Sequence, residues 1–252
     1  MKTTALFFIM LMSGLFSWAA NDHIKIASDN AAAVVAVNVV KKDGTTFTGT
    51  GFVLTHDGLL ATSRHVSEDS LYMNITFNNG VLSGEAVTVA AAGNVDISLL
   101  KIHAKNLPTV KIGDSDSVLP GQEITVIGNP RRLQNTISSG LISQVRKKAD
   151  GIIWHQISAP ISPSSSGSPV FNEKGEVISV AFASYEGENN QNLNFSIPSN
   201  YLTALVRAAG YTLPQQQAEQ NKKEQQKENS LLSHIKKSWQ ITLRLLGLDK
   251  KS

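Results

Sequence analysis

Short apolar runs separated by turn-forming residues dominate the middle of this sequence. From Ala32 to Ser184 the runs are rich in β-branched residues, and the separators are rich in Gly, Asn and Asp. This is the pattern of β-strands joined by tight hairpins. It predicts two groups of strands on either side of a link near residues 105–120. The predicted strands are Val34–Val40, Thr46–Thr55, Leu59–Thr62, Leu71–Phe77, Val81–Ala90 and Ile97–Ile102, then Glu123–Ile127, Gln134–Val145, Ile152–Ser158, Pro169–Phe171, Val177–Ala183 and Leu193–Ile197.

Two groups of about six short strands predict an all-β fold of two antiparallel six-stranded barrels, one over about 30–105 and one over about 118–200. A short closing helix is predicted over Asn200–Ala209, with Ser199 or Asn200 as its N-cap and a glycine directly after it.

The N terminus has the features of a secretory signal peptide. Lys2 precedes an apolar run from Ala5 to Phe16, and Ser17-Trp18-Ala19 provides small residues at a cleavage site. The run is too short for a comfortable membrane span, which needs about 20 residues. We therefore expect residues 1–19 to be cleaved, with an uncleaved anchor as the alternative, and the folded domain to cover residues 20–212.

The C-terminal region differs in character from this domain. Residues 213–230 are almost entirely polar and are expected to form a linker. Within residues 231–250 apolar side chains recur at steps of three and four with basic residues between them, which predicts an amphipathic basic helix. Such a helix fits a membrane surface, a groove on a partner protein, or the body of its own chain, and the sequence does not choose among them.

Charge and composition narrow the class of protein. The chain contains no Cys, so disulfides and thiolate metal sites are excluded, and its 41% hydrophobic content is enough for a core. A signal peptide without Cys is typical of a bacterial periplasmic protein. The net charge of +3 comes from residues 215–252, which carry +4. The body is slightly acidic, so nucleic-acid binding gains no support.

Three residues are candidates for chemistry, and each has an ordinary structural alternative. His65 follows a strand, where a histidine is more often structural than catalytic. Asp96 lies among apolar neighbours, where a carboxylate needs a donor, but an exposed Asp at a strand entrance is equally ordinary. Ser166 lies in a Ser/Gly turn that could expose a nucleophile or be a flexible loop. The other histidines show no metal-ligand spacing, so neither a metal nor a cofactor is expected; they are His23, His56, His103, His155 and His234.

Taken together, six motifs over about residues 32–209 resemble the chymotrypsin-fold serine proteases of the bacterial HtrA/Deg type, in the order of that family. The motifs are T-G-T-G-F-V-L, A-T-S-R-H-V, V-D-I-S-L-L-K-I, L-P-G-Q-E-I-T-V-I-G-N-P with N-T-I-S-S-G-L-I-S, S-S-S-G-S-P-V-F, and L-N-F-S-I-P-S-N.

The resemblance implies a role for each candidate. Ser166 would be the nucleophile, His65 the general base and acid, and Asp96 the residue that orients the imidazole. The backbone N–H groups of Ser164 and Ser166 would form the oxyanion hole.

The resemblance also implies a primary specificity pocket without charge. Its walls would come from Pro160, Ile161, Ala181, Phe182 and Ala183. We expect a small to medium apolar residue before the scissile bond.

The sequence departs from the family pattern in three places. Arg64 replaces a smaller residue before the histidine, and Ser164 stands where the family has Gly. The residues after the closing helix are too few for the PDZ domains that HtrA proteins usually carry, so none is expected here.

The leading hypothesis is a periplasmic endopeptidase acting on unfolded or damaged proteins. A protease-fold binding or adaptor module with weak or no turnover is the alternative, and a structural protein attached by its tail is a third. Substrate identity and oligomeric state stay open.

Overall fold

Strands form most of the body of the protein, and many of them are buried on both faces. The computed structural model describes residues 22–78, 80–129, 135–184 and 193–245. The predicted signal peptide, residues 1–19, lies outside these described residues.

The strands form two sheets of seven segments each, and both sheets are almost entirely antiparallel. The first sheet contains β1 Val34–Lys41, β2 Thr46–Val53, β3 Leu59–Thr62, β4 Ser70–Thr76, β5 Leu82–Glu85, β6 Val87–Ala91 and β7 Ser98–Lys101. The second contains β8 Lys111–Ile112, β9 Glu123–Gly128, β10 Thr136–Lys147, β11 Ile153–Ile157, β12 Pro169–Phe171, β13 Glu176–Ser184 and β14 Asn194–Pro198.

Both sheets curl into barrels, which confirms the predicted fold. The first has the order β5-β4-β1-β2-β3-β7-β6, so its two edge strands are consecutive in the chain and the barrel is nearly closed. The second has the order β12-β9-β10-β11-β14-β13-β8, and β12 also pairs with β13, which closes it. Closure removes the free sheet edges on which other chains could pair.

Two details of the strand pattern differ from the prediction. The segment Val81–Ala90 is divided at Ala86, whose N–H donates to the Met73 carbonyl at 2.9 Å. Before this residue β5 pairs with β4, and after it β6 pairs with β7. The single predicted strand therefore forms both edge strands of the sheet. The link between the barrels contains the short strand β8, which pairs in parallel with β13.

A helix that the strand pattern did not predict precedes the first barrel. This helix, α1, spans Asp22–Asn30 and buries Ile26 and Ala27. The His23 ring lies 2.7 Å from the Thr125 hydroxyl on β9 of the second barrel. The helix therefore packs against the barrel that it is farther from in sequence.

Three further α-helices are described, together with two short 3₁₀ turns at Ala31–Ala33 and Ser115–Ser117. A single turn, α2, spans Arg64–Ser67, and the closing helix α3 spans Ser199–Ala208, one residue earlier than predicted. The last helix, α4, spans Pro214–Leu245 and belongs to a separate compact unit formed by residues 212–252.

Residues 214–230 of the expected polar linker form the first half of α4. They continue without a break into the amphipathic segment. The reason is local: Gln, Glu, Lys and Ala are strong helix formers, and the segment contains neither Gly nor an internal Pro. Among the described residues, no helix combines the length and apolar character needed to cross a membrane.

His155 on β11 is a buried histidine that makes the free energy of unfolding depend on pH. It is 1% exposed, and its Nδ1 atom has no hydrogen-bond partner among the described residues. Burial lowers the pKa of His155 to about 4. The unfolded chain takes up this proton near pH 6.5, so acidification favours the unfolded state between these two values.

We therefore predict that part of the acid sensitivity of the fold comes from His155. Between pH 7 and pH 5 this histidine should remove roughly 2 kcal/mol from the free energy of unfolding. Urea unfolding at the two pH values should show that loss in the wild type and not in His155→Gln. Equal losses in both proteins would show that the proton is taken up elsewhere.

Candidate active site

His65 and Asp96 come together at one end of the first barrel. His65 lies on α2, directly after β3, and Asp96 lies in the turn before β7. Because β3 and β7 are neighbours in the sheet, the ends of these strands place the two side chains side by side. The His65 Nδ1 and Asp96 Oδ2 atoms are 2.6 Å apart, and the His65 backbone N–H donates to Asp96 Oδ1 at 2.9 Å.

This pairing determines which ring nitrogen of His65 carries the proton. Burial alone would raise the pKa of Asp96, but the hydrogen bonds and charge of His65, together with the charge of Arg64, outweigh it and hold the pKa below its ordinary value. An ionised carboxylate only accepts, so Nδ1 is the donor in this contact. Nε2 of a neutral ring is then left as a base. The ring is 41% exposed, so this base is accessible.

Arg64 supports the same arrangement through the turn that carries Asp96. One of its terminal nitrogens donates to the carbonyls of Ala92 and Gly93, at 2.9 and 3.2 Å. These residues precede Asp96 in the same turn. Arg64 therefore joins the segment that carries the histidine to the segment that carries the aspartate.

Ser166 lies in a pair of consecutive tight turns on the second barrel, just before β12. The Ser165 N–H donates to the Ser162 carbonyl at 3.0 Å, and the Ser168 N–H donates to the Ser165 carbonyl at 3.0 Å. Ser164 and Gly167 occupy the third positions of the two turns, with φ values of 75° and 89°. A positive φ at that position alone is the signature of a type II turn.

A buried threonine of the first barrel holds this double turn. Thr50 on β2 is fully buried; its hydroxyl donates to the Ser164 carbonyl at 2.8 Å and accepts from the Asn129 N–H at 3.0 Å. Its backbone N–H donates to the Ser166 carbonyl at 2.9 Å. Two carbonyls of the Ser166 turn are thus fixed by one residue of the barrel that carries His65 and Asp96.

The approach of the two barrels at this point is very close. A Cβ atom placed on Gly167 would lie 2.0 Å from the Thr50 carbonyl and 3.0 Å from the Ser63 nitrogen, two residues before His65. Only glycine fits there. Among the described residues no hydrogen bond joins the Ser166 hydroxyl to the His65 ring, so the serine and histidine share the site without direct contact between those groups.

Two backbone N–H groups beside Ser166 are free to bind a ligand. Within the described part of the chain, the N–H groups of Ser164 and Ser166 donate to no protein acceptor. The peptide between Pro163 and Ser164 has no hydrogen bond to any described residue at either its carbonyl or its N–H, whereas the next peptide is held by Thr50 and by Ser162. A pair of unused donors near a serine can stabilise a developing oxyanion.

The comparison with known families rests on the same region. The family model for the trypsin-like peptidase domain matches residues 49–180, just over half of the chain, and this match includes His65, Asp96 and Ser166. This chain belongs to the trypsin-like peptidase family.

Its relatives within that family are of the HtrA type. A protein of Marinomonas sp. named as a probable periplasmic serine endoprotease, DegP-like, is 33% identical over 162 residues, which are 63% of this chain and 34% of that protein. A protein of Chlamydia muridarum with the same name is 35% identical over 156 residues, 60% of this chain and 31% of that protein. The chain thus spans about a third of the length of these curated relatives.

Solved structures give the same result. The HtrA-type protease AlgW with a tripeptide superposes with a TM-score of 0.69 at 25% identity, over 74% of this chain and 62% of that one. The serine endoprotease from Yersinia pestis superposes with a TM-score of 0.64 at 28% identity, over 74% and 66%. The chain is therefore similar to HtrA-type proteases in sequence and in fold.

The residues expected to line the specificity pocket of this peptidase lie on the second barrel. Ile161 is half-buried against a core cluster that contains Ala181, and Pro160 is exposed. The ring of Phe182 packs edge-on against Trp154, with centroids 5.0 Å apart. Ala183 lies on the same strand, β13. The sequence analysis missed Asn194, which is buried and donates to the Ala159 carbonyl at 2.7 Å, directly before Pro160.

Thr50 is a second residue of this site that sequence reasoning missed, although one signal was available. It stands between Gly49 and Gly51 in the glycine-rich strand. A Cβ atom on Gly49 would lie 2.7 Å from the Val66 side chain and 3.3 Å from the Ser166 carbonyl. The flanking glycines therefore mark a place where backbones approach closely. As for metals, the described residues contain no cluster of His, Asp or Glu that could hold an ion.

We predict that the Thr50 hydroxyl positions the nucleophile turn of the peptidase. In Thr50→Val the Ser164 carbonyl loses its donor and the buried Asn129 N–H loses its acceptor, a change that costs about 1–3 kcal/mol per unsatisfied group. The kcat of peptide hydrolysis should fall by about ten- to a hundredfold because small displacements of catalytic groups are costly. KM should change little, and Thr50→Ser should restore most of the rate.

The matched control for this variant is Thr48→Val. Thr48 lies on the same strand, and its hydroxyl donates to Asn38 rather than to the Ser166 turn. A purely structural role for Thr50 would be shown by equal losses of kcat in the two valine variants.

We predict that Ser164 limits the rate through its backbone angle. Its φ of 75° costs a residue with a Cβ atom about 1–2 kcal/mol, and glycine avoids this cost. If the type II turn is the competent form, Ser164→Gly should raise kcat by up to about tenfold and leave KM nearly unchanged. Ser162→Gly, which adds flexibility at a position without positive φ, should have no such effect. Unchanged or lower kcat in Ser164→Gly, with the fold intact, would exclude a gate at this turn.

Proposed function

We propose that this chain is a serine endopeptidase that uses His65, Asp96 and Ser166 to hydrolyse unfolded or damaged proteins. The observation that carries the proposal is the His65–Asp96 pair on one barrel, joined through Thr50 to the Ser166 turn on the other. A base, the residue that orients it and a serine nucleophile then meet at a single barrel interface.

In this mechanism Ser166 Oγ attacks the scissile carbonyl while His65 Nε2 takes its proton. Asp96 accepts from Nδ1 throughout and stabilises the imidazolium that forms. The negative charge on the carbonyl oxygen is received by the N–H groups of Ser164 and Ser166, which have no acceptor among the described residues. His65 then gives the proton to the leaving amine, and water completes the cycle through the same base.

The proposed location is the periplasm. Residues 1–19 would direct export across the inner membrane, and the curated relatives are themselves named as periplasmic endoproteases. An exported protein that meets unfolded chains can select extended segments, because these present a peptide bond to a groove without unfolding.

A specific covalent probe tests this proposal. A fluorophosphonate should label the wild type in the periplasmic fraction, at Ser166 and on a chain that has lost its first residues. Labelling should vanish in Ser166→Ala, and peptide hydrolysis should fall by about ten-thousandfold in Asp96→Asn, which keeps the geometry but favours the wrong imidazole tautomer.

The same proteins distinguish the alternative of a binding module with weak or no turnover. Such a module would bind an unfolded protein equally well with and without Ser166 and would not be labelled. In a peptide library, active wild type should prefer a small or medium apolar residue before the cleaved bond, since the proposed walls carry no charge; they are Pro160, Ile161, Ala181, Phe182 and Ala183. Cleavage mainly after Lys or Arg would refute this assignment of the pocket.

A further inference from the structure

The second half of helix α4 exposes a continuous apolar stripe. Four of the five large apolar side chains that the described part of this half exposes project within an arc of roughly 100° at 3.6 residues per turn, and the fifth, Ile241, lies outside it. The exposed fractions of the four, within the described part of the chain, are far above those of core residues: Leu231 62%, Leu232 48%, Ile235 44% and Trp239 63%. The first half of the helix, from 215 to 230, has no large apolar residue.

Charge on this half of the helix has one sign. Between Glu228 and Asp249 the sequence contains no acidic residue, while it contains Lys236, Lys237 and Arg244. At 100° per residue, Lys237 lies opposite the apolar arc, whereas Lys236 lies about 40° beyond its edge. In the first half of the helix, by contrast, lysines and glutamates alternate.

We propose that residues 230–245 form an in-plane anchor that lies on an anionic lipid surface. An interfacial helix needs an apolar face that enters the acyl boundary and a basic face that stays among the headgroups. Trp239 suits the boundary because its ring is apolar and its N–H is polar. Long lysine side chains beside the stripe can reach the phosphates while their stems stay in apolar surroundings.

A lipid surface fits these residues better than a protein partner does. The core of a protein–protein interface is depleted in Lys, and coiled-coil pairing uses acidic and basic residues in complementary positions. Two copies of this segment would bring only basic residues together. Within the described residues, no helix has the length and apolar character to cross a membrane, so the proposed anchor lies in the plane of the surface and not across it.

The anchor and the proposed protease activity are independent. The stripe lies in the unit of residues 212–252, whereas the triad lies in the unit of residues 1–211. Loss of membrane binding would therefore leave the hydrolysis of a soluble peptide unchanged, and an inactive Ser166→Ala protein would still bind lipid.

The test is sedimentation of the full chain with vesicles of phosphatidylcholine, with and without phosphatidylglycerol. The wild type should bind the anionic vesicles more tightly. Lys236→Gln with Lys237→Gln should weaken that binding by roughly twenty-fivefold, since each basic residue near an anionic surface contributes about fivefold. Trp239→Ser should weaken binding to both kinds of vesicle.

The matched control is Lys222→Gln with Lys223→Gln, which removes the same charge from the polar half of the same helix. These residues lie about 20 Å along the helix axis from Lys236, beyond the Debye length, so the effect should be much smaller. All variants share residues 1–20, so differences among them belong to the helix.

Two outcomes would overturn the proposal. Equal binding by the two double-lysine variants would show that the position of the charge is irrelevant. A change in the sedimentation coefficient of Trp239→Ser without lipid, combined with unchanged vesicle binding, would show that the stripe contacts protein instead.

Discussion

One buried hydroxyl group couples the two barrels at the proposed active site. Thr50 belongs to the barrel that supplies the base, yet its hydroxyl and N–H are bonded to the turn of the nucleophile. Its own carbonyl accepts from the Thr62 hydroxyl, three residues before His65, at 2.6 Å. In a dry environment each of these bonds is expensive to leave unmade. Thr50 therefore links the two halves of the site directly.

The backbone around Thr50 makes this coupling possible. Gly49 and Gly51 carry no side chain where one would collide with Val66 and with the Ala61 carbonyl, at 2.7 and 2.9 Å. Because these positions are bare, β2 lies close enough to α2 and β3 for Thr50 to reach across to the second barrel. Glycine usually weakens a strand, so its presence on both sides of Thr50 has a packing reason.

The sequence was sufficient for properties that depend on local pattern, and insufficient for those that depend on long-range contacts. Strands such as Leu59–Thr62 and Pro169–Phe171 were predicted with their observed bounds, because apolar runs between turn residues report burial directly. The pairing of His65 with Asp96 was expected only by resemblance, since nothing local connects two residues 31 positions apart. Helix α1 was not predicted, because its buried face, Ile26 and Ala27, is too small to show a helical period. The network of Thr50 was also out of reach, because a threonine hydroxyl in a strand looks the same whether it meets water or a carbonyl.

The hydrogen bonds of the nucleophile turn do not decide between its type I and type II forms. The peptide between Ser164 and Ser165 is fixed at both ends, whereas the preceding peptide, between Pro163 and Ser164, has no hydrogen bond among the described residues. Pro163 is compatible with type I and type II turns alike, so the choice between them falls on the residue after it. Ser164 opposes the type II form by about 1–2 kcal/mol, which is close to the contribution of a single hydrogen bond. An oxyanion that accepts from the Ser164 N–H would form a hydrogen bond of about this free energy with only one of the two turn forms. A ligand can shift an equilibrium no further than its differential affinity for the two states, and here that affinity is of the size required.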